Sequence, residues 1–357
     1  MNASRWLVVG FAVVYAVWFV YSSGSMRHTR LVKEETDLVS HALRAKDDTN
    51  TVILLYASHS YRDTLFNWLV AFSRASPSSP FANANGGGVM VICLDQALKD
   101  YLEGLHWGCY LHESVRPGVA LDKNTVKSLW VTRVTHVLEL LQAGINVVLT
   151  DSDAVWLKDI RGTLLGDGAD VVSSRANFPY KSPWGSTLCM GLVFFRANPR
   201  VELLAQSALV QTIKSQDDQV GFNHALFALK PDSAKSPKHA FGFVMDPQGK
   251  RTGHARFVLP ELGEQVSVTL LANNIVARVC SSLSPSEWED TLQVAHCHIH
   301  DGVPAATSKE KGNSHSHTEV LVRYKVFYLL PAWEELIEAN RPTLRDFSHV
   351  LKLISVN

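Results

Sequence analysis

The sequence predicts an α/β fold, a mixed sheet flanked by helices, and three observations carry that expectation. Thr51 to Tyr56 is an apolar run read as a buried strand, and a loop through Ser58-His59-Ser60 leads from it into a helix from Arg62 to Ser73. Val126, Trp130, Val134, Val137, Leu138 and Leu141 form a helical stripe that stops at Gly144. Behind that stop comes Ile145-Asn146-Val147-Val148-Leu149-Thr150, a β-branched run too short for an ordinary helix and suited to the centre of a sheet.

The remaining elements follow in order. Pro77 to Gly88 is rich in Pro, Ser, Asn and Gly, and Val89 to Leu94 resumes the strand pattern before Asp95. Gly86-Gly87-Gly88 lacks the helix and the Lys-Ser/Thr that follow a phosphate loop, so it reads as a flexible connection. No G-x-G-x-x-G follows the first strand, which argues against a dinucleotide dehydrogenase. Ala169 to Ser174 and Gly191 to Phe195 read as strands, and Glu202 to Lys230 as helix. Lys235 to Leu270 reads as irregular with strands, and Leu292 to His296 as a late strand. Thr318 to Asn357 reads as helices broken by Pro331 and Pro342. No linker interrupts Thr51 to His300, which favours one domain.

A chain of 357 residues with 46% hydrophobic and 19% charged residues can bury a large core. Lys+Arg and Asp+Glu both number 34, so no global charge draws nucleic acid, and a polyanion must be met locally. Trp6 to Tyr21 is uncharged and apolar with aromatics at both ends. As a helix it would span roughly 24 Å, short for an average bilayer but tolerable in a thinner endomembrane. It reads as a membrane anchor. A signal peptide cleaved near Ser22-Ser23-Gly24-Ser25 is the rival. Arg5 precedes the stretch and Arg27, Arg30 and Lys33 follow it, against a simple positive-inside count, yet a short leader before a large domain suggests a lumenal domain. The expected organisation is a cytosolic tip and anchor over 1–26, a stem over 27–50, a catalytic domain over 51–317, and a C-terminal helical extension packed on it over 318–357.

The five cysteines, Cys93, Cys109, Cys189, Cys280 and Cys297, form no C-x-x-C pair, and their odd number leaves at least one unpaired. In a lumenal domain Cys93 and Cys109 are the pair expected to bond; buried free thiols are the other reading. Asn2-Ala3-Ser4 is the one glycosylation triplet, so the expected lumenal part has none.

Asp151-Ser152-Asp153 leaves the central strand where ligands bind in such sheets, and its paired carboxylates offer hard oxygen ligands to Mn²⁺ or Mg²⁺. Gln216-Asp217-Asp218-Gln219, with Asn223 one turn on, is a second polar cluster: it either faces that site or caps a helix. In His296-Cys297-His298-Ile299-His300 alternate histidines share a face. They stand about 6.6 Å apart along a strand and cannot easily converge on one ion, so one histidine completing the Asp151 and Asp153 site is the better reading. Lys127 and Arg133 read as polar positions on a solvated helix face.

Several of these features follow in a recognisable order: Tyr61 with Asn67-Trp68-Leu69, Leu94-Asp95, Lys127 ahead of Gly144, and Val148 through Leu157 containing D-x-D-x-x-W-L. Met190-Gly191, Asp218-Gln219 with Phe222-Asn223, and His296 ahead of Gly302 complete it. From about Thr51 to Lys311 the chain resembles the nucleotide-diphospho-sugar transferase family that includes plant rhamnogalacturonan xylosyltransferases and extensin arabinosyltransferases.

That resemblance implies a GT-A fold, a nucleotide-sugar donor, a divalent cation and retention of anomeric configuration. It also implies a lumenal domain on a single N-terminal anchor, in the Golgi or ER membrane with type II orientation. Asp151 and Asp153 would hold Mn²⁺ (or Mg²⁺) on the donor diphosphate, with His296 as the late ligand. Asp218 and Gln219 would line the donor sugar and acceptor, Asp95 would lie near the nucleoside, Lys127 would approach the donor, and Ser152 and Gly191 would line the donor side. Two departures stand out. The late motif usually has Asn where His298 stands, so His296 and His298 compete as ligand, and Met190 replaces a residue that is often polar.

The expected activity is transfer of a pentose or galactose-type sugar to a glycan, glycoprotein or glycolipid. The rivals are a metal-dependent nucleotidyltransferase or phosphoesterase and a non-catalytic lumenal glycan-binding protein. The first would release pyrophosphate or phosphate, and the second would bind donor without turnover.

Overall fold

The first strand fixes the layout. In Thr51–Ala57 (β1) side chains alternate between the two faces and both faces are apolar: Val52 and Leu54 enter one core, Ile53, Leu55 and Ala57 the other. A strand covered on both sides needs helices on both sides, and the chain supplies them.

The computed structural model describes residues 37–77, 86–112, 123–176, 186–231, 241–245, 251–278, 283–296, 327–344 and 346–355. Helix α1 (Leu38–Ala45) precedes β1 and α2 (Arg62–Ala75) follows it. Then come β2 (Val89–Cys93), α3 (Gln96–Glu103), β3 (Tyr110–Leu111), α4 (Lys123–Gln142), β4 (Asn146–Thr150), β5 (Val155–Trp156) and α5 (Arg161–Gly166). The middle of the chain forms β6 (Val171–Ala176), β7 (Thr187–Phe195), α6 (Pro199–Ser215), α7 (Asp218–Phe227), β8 (Lys230–Pro231) and β9 (Gly242–Met245). Strands β10 (Arg251–Leu259), β11 (Glu264–Leu270) and β12 (Val276–Ala277), helix α8 (Pro285–Asp290), strand β13 (Val294–Ala295) and helices α9 (Trp333–Asn340) and α10 (Phe347–Ile354) complete it.

Among the described residues the main sheet has ten strands in the order β3-β2-β1-β4-β7-β6-β11-β10-β8, with β9 also on β10. Its first four strands run parallel, β7 lies antiparallel between β4 and β6, and β11 runs parallel to β6. A second small sheet, β12-β13-β5, stands at the end of β4. One core lies between the main sheet and α2, reinforced by Trp333 and Phe347, which stack near Phe66 at 4.8 and 5.8 Å. The other packs α1, α4, α6 and α7 on the opposite face. The fold is the mixed α/β sheet with flanking helices that the sequence predicts.

Residues 38–45, within the stretch expected as a stem, form a helix whose Leu38 and Ala42 are buried in the second core. The expected anchor, Trp6 to Tyr21, lies outside the described residues, among which no helix is long and apolar enough to cross a membrane. The helix expected over Glu202 to Lys230 is two helices. Gln216 adopts φ 57, in the left-handed region, and Asp217 then caps α7 by accepting from the Val220 amide at 2.8 Å. Gly144 ends α4 at φ +75, as its position predicts. Of the two cysteine readings, the Cys93–Cys109 disulfide is the one present. It ties β2 to the approach of β3 across a sequence separation of 16, and such a loop constrains the unfolded chain by about 3 kcal/mol.

Candidate metal and donor site

Two strand registers build the site. Thr150 pairs with Leu192 across β4 and β7, so the next residue, Asp151, donates its backbone N–H to the Gly191 carbonyl at 2.9 Å. The chain then turns, with the Ala154 amide bonded to the Asp151 carbonyl at 3.0 Å, and enters β5. Trp156 anchors that turn: it is fully buried, 5.5 Å from Trp68 and 5.4 Å from Phe72, while the Trp68 indole donates to the Ala154 carbonyl at 2.9 Å. The tryptophan of D-x-D-x-x-W-L is therefore a core residue that fixes where the carboxylates point.

The second register brings in a distant residue. Ala295 pairs antiparallel with Val155, and the His296 amide donates to the Ala277 carbonyl at 2.9 Å, which sets His296 beside the D-x-D turn. His296 Nε2 lies 3.3 Å from Asp153 Oδ1 and 3.9 Å from Asp151 Oδ2. The three residues each offer one ligand atom, all within 4.8 Å of one another. Two oxygens and one imidazole nitrogen suit Mn²⁺ or Mg²⁺. Gly191 permits this closeness: a Cβ there would stand 2.1 Å from His296 Cε1 and 2.7 Å from Asp151 Oδ2.

The electrostatics are concentrated around His296. Burial and the neighbouring Arg278 both draw its proton away, but the Asp153 charge and hydrogen bonds to Asp153 and Cys189 prevail, and its pKa rises to about 9. Burial pushes the Cys189 thiol up, but Arg278 and His296 outweigh it and bring its pKa down to about 7. A bound cation would have to displace the His296 proton.

Arg133 reaches the same site from α4. Its Nη2 lies 3.1 Å from Asp151 Oδ1 and donates to the Met190 carbonyl at 3.1 Å, and its Nε lies 3.2 Å from Asp218 Oδ2. Burial drives the Asp218 pKa up, Arg133 opposes and Asp151 adds to the rise, leaving it at about 6. The guanidinium also sits 4.9 Å over the Trp130 ring and 5.6 Å over the Tyr56 ring.

The other expected residues divide. Asp218 joins the cluster through Arg133, while its neighbour Asp217 provides the cap, so each reading of Gln216 to Gln219 holds for a different residue. Gln219 Oε1 accepts from the Met190 amide at 3.2 Å, and Asn223 bonds both backbone groups of Leu188 at 2.9 and 3.0 Å. Ser152 is buried with its hydroxyl 3.1 Å from that of Thr64, away from the carboxylates it separates. Asp95 accepts from the Leu98 amide at 2.8 Å as the cap of α3 and from the His59 amide at 2.9 Å, so it braces the loop after β1. Lys127 is exposed; six residues before Arg133, it lies roughly 120° around the helix. His298 is outside the described residues.

Arg133 was legible only as a solvated polar position, and the structure corrects that: it is 4% exposed. Its signal was the flanking Val134 and Trp130, which place it beside the apolar stripe. Cys189 and Arg278 carried no local pattern that marks a site.

A profile of the nucleotide-diphospho-sugar transferase family matches residues 88–301, which include every residue of the Asp-Asp-His cluster. The UDP-D-xylose:L-fucose alpha-1,3-D-xylosyltransferase MGP4 of Arabidopsis thaliana is 27% identical over 202 residues, 49% of this chain and 53% of that protein. The chain thus spans about half the length of the curated relative it matches. Among solved structures, the glycosyltransferase GlyE of Streptococcus pneumoniae has a TM-score of 0.37 at 10% identity, covering 84% of this chain and 62% of GlyE. The galactosyltransferase LgtC with donor and acceptor sugar analogues has a TM-score of 0.36 at 12% identity, covering 79% of this chain and 99% of LgtC. Likenesses at these scores are too distant to fix fold or function. The family match spans more than half of the sequence: the chain belongs to the nucleotide-diphospho-sugar transferase family, a family of glycosyltransferases.

Proposed function

We propose that this chain is a divalent-cation-dependent glycosyltransferase of GT-A type that moves a sugar from a nucleotide-diphosphate donor to a glycan, glycoprotein or glycolipid with retention of configuration. The observation that carries the reading is the convergence of Asp151, Asp153 and His296 within 4.8 Å, inside the segment matched to the family. These three would hold Mn²⁺ or Mg²⁺ on the donor diphosphate. When bound, the cation neutralises negative charge that develops on the leaving oxygen; one such pair near 4 Å at an effective dielectric of 20 is about 4 kcal/mol, roughly a thousandfold in rate.

One guanidinium, that of Arg133, contacts the Asp151 carboxylate through Nη2 and the Asp218 carboxylate through Nε, which holds the two acidic side chains together near the donor. Asp218 orients the donor sugar, and Gln219, seated on the Met190 amide, lines its other side. Gly191, without a Cβ, lets the His296 ring and the Asp151 carboxylate close against the β7 backbone. Because the A. thaliana relative is named for a UDP-xylose donor, pentose donors come first, with galactose-type donors next. The expected setting is the Golgi or ER, type II on an N-terminal anchor, with the domain lumenal.

The test is nucleoside diphosphate release from a panel of nucleotide sugars by the full chain in detergent, with Mn²⁺ and with chelator. One donor should be consumed, and both chelator and Asp153→Ala should abolish release while circular dichroism stays unchanged. Chelator-resistant turnover, or pyrophosphate as product, would defeat the reading.

A further inference from the structure

We infer that Thr64 is a positioning residue for Asp153 as a metal ligand, acting through Ser152, the middle residue of D-x-D; this rests on the metal reading above. Thr64 stands in the first turn of α2 and is 1% exposed. Its hydroxyl lies 2.9 Å from the Tyr61 carbonyl and 3.1 Å from the Ser152 hydroxyl, a contact buried in the protein. One turn on, along the same face of the helix, the Trp68 indole donates to the Ala154 carbonyl at 2.9 Å. Helix α2 therefore grips the chain on both sides of Asp153, at Ser152 and at Ala154.

The proton count gives the first grip its direction. A hydroxyl has one proton to donate, and a carbonyl oxygen only accepts. The Tyr61 carbonyl takes the Thr64 proton, so in the pair of hydroxyls Thr64 is the acceptor and Ser152 the donor. That commits the Ser152 proton to the interior and turns its side chain into α2. The resemblance implies a Ser152 that lines the donor; the bond assigns its side chain to holding the turn instead. Neither hydroxyl is a ligand. What the bond supplies is the placement of the backbone from which the Asp153 carboxylate extends to within 3.3 Å of His296 Nε2. Without Thr64 as acceptor a buried Ser152 hydroxyl is left unsatisfied, and the turn must shift to find it another partner.

The test is Mn²⁺ affinity of the full chain, read by electron paramagnetic resonance of free Mn²⁺, alongside the thermal midpoint. The proteins are wild type, Thr64→Val, Thr64→Ser, Ser152→Ala, the Thr64→Val/Ser152→Ala double variant and Asp153→Ala. Thr64→Val keeps the shape and removes the bond, whereas Thr64→Ser keeps the bond and removes a buried methyl group. A loss through the bond therefore shows in the first variant, and a loss through packing in the second. Affinity should fall about 3–10-fold in Thr64→Val and stay at the wild-type value in Thr64→Ser. The double variant should bind no more weakly than Ser152→Ala, because both substitutions remove the same bond. Wild-type affinity in Thr64→Val, equal losses in the Val and Ser variants, or losses that multiply in the double variant would overturn the inference and leave Thr64 a packing residue. Wild type that binds Mn²⁺ no better than Asp153→Ala would overturn the metal reading itself and this inference with it.

Discussion

The guanidinium of Arg133 stands 3.2 Å from the Asp218 carboxylate, and both side chains are buried. A buried carboxylate held by one cation is sensitive to its removal. Arg133→Met should therefore destabilise the protein by about 3–5 kcal/mol, measured as the urea midpoint. Burial already holds the Asp218 pKa up at about 6. A carboxyl raised above its unfolded value favours folding below that value and loses the contribution as pH rises through the folded one, so the variant's deficit should be larger at pH 8 than at pH 5. Adding Asp218→Leu should recover part of the loss. A single variant within about 1 kcal/mol of wild type at pH 8 would show that the pair carries no stability.

Gly191 tests the geometry of the metal cluster from the backbone side. Its Cβ position is filled by His296 Cε1 at 2.1 Å and Asp151 Oδ2 at 2.7 Å, neither of which can retreat without opening the cluster. Gly191→Ala should fold, with a stability loss of about 1–3 kcal/mol from overpacking, and should lose Mn²⁺ binding measured by titration calorimetry. Unchanged affinity would mean that His296 is not a ligand.

The contrast between these two positions explains what was legible in the sequence. Asp151 and Asp153 were visible because a short apolar strand with a turn behind it is a local pattern, and Gly144 marked the helix stop next to it. Gly191 entered through the family's motif order, which also singled out His296 from the three alternating histidines that the residues alone had offered, and the meeting of the two depends on pairings across β4 with β7 and β5 with β13, which no local periodicity encodes. Arg133 defeats periodicity for another reason. A long cation beside an apolar stripe can lie on solvent or snorkel inward, and only the carboxylates waiting across the core decide which. The break at Gln216 escaped because a non-glycine residue in the left-handed region leaves no compositional mark.

His136 offers a pH readout away from the metal cluster. It is 7% exposed, donates to or accepts from the Tyr56 hydroxyl at 2.9 Å, and burial, with His112 adding to it, lowers its pKa to about 4. The unfolded chain takes up a proton near the ordinary value of 6.5, before the folded one does. Stability is therefore complete above that value and falls as pH drops from 6.5 towards 4. The loss amounts to at most about 3 kcal/mol. His136→Phe should flatten the urea-midpoint profile over this window, although it leaves the Tyr56 hydroxyl without its partner. A profile with unchanged slope would assign the acid sensitivity elsewhere.

Trp156 shows how a residue that offers no ligand can govern the site. Its indole packs edge-on against the stacked pair of Trp68 and Phe72 at 5.5 and 5.4 Å, and its strand β5 pairs with β13, the pairing that delivers His296. Trp156→Ala should cost about 3–5 kcal/mol through the cavity it leaves. Trp156→Phe keeps an aromatic against both neighbours and should cost less. If the register is what sets the ligand geometry, Mn²⁺ affinity should fall in Trp156→Ala at temperatures well below its melting midpoint, and Trp156→Phe should restore it. Stability loss with wild-type affinity in Trp156→Ala would instead mean that the turn keeps its shape without the anchor, held by the Ala154 to Asp151 backbone bond and the Trp68 indole on the Ala154 carbonyl.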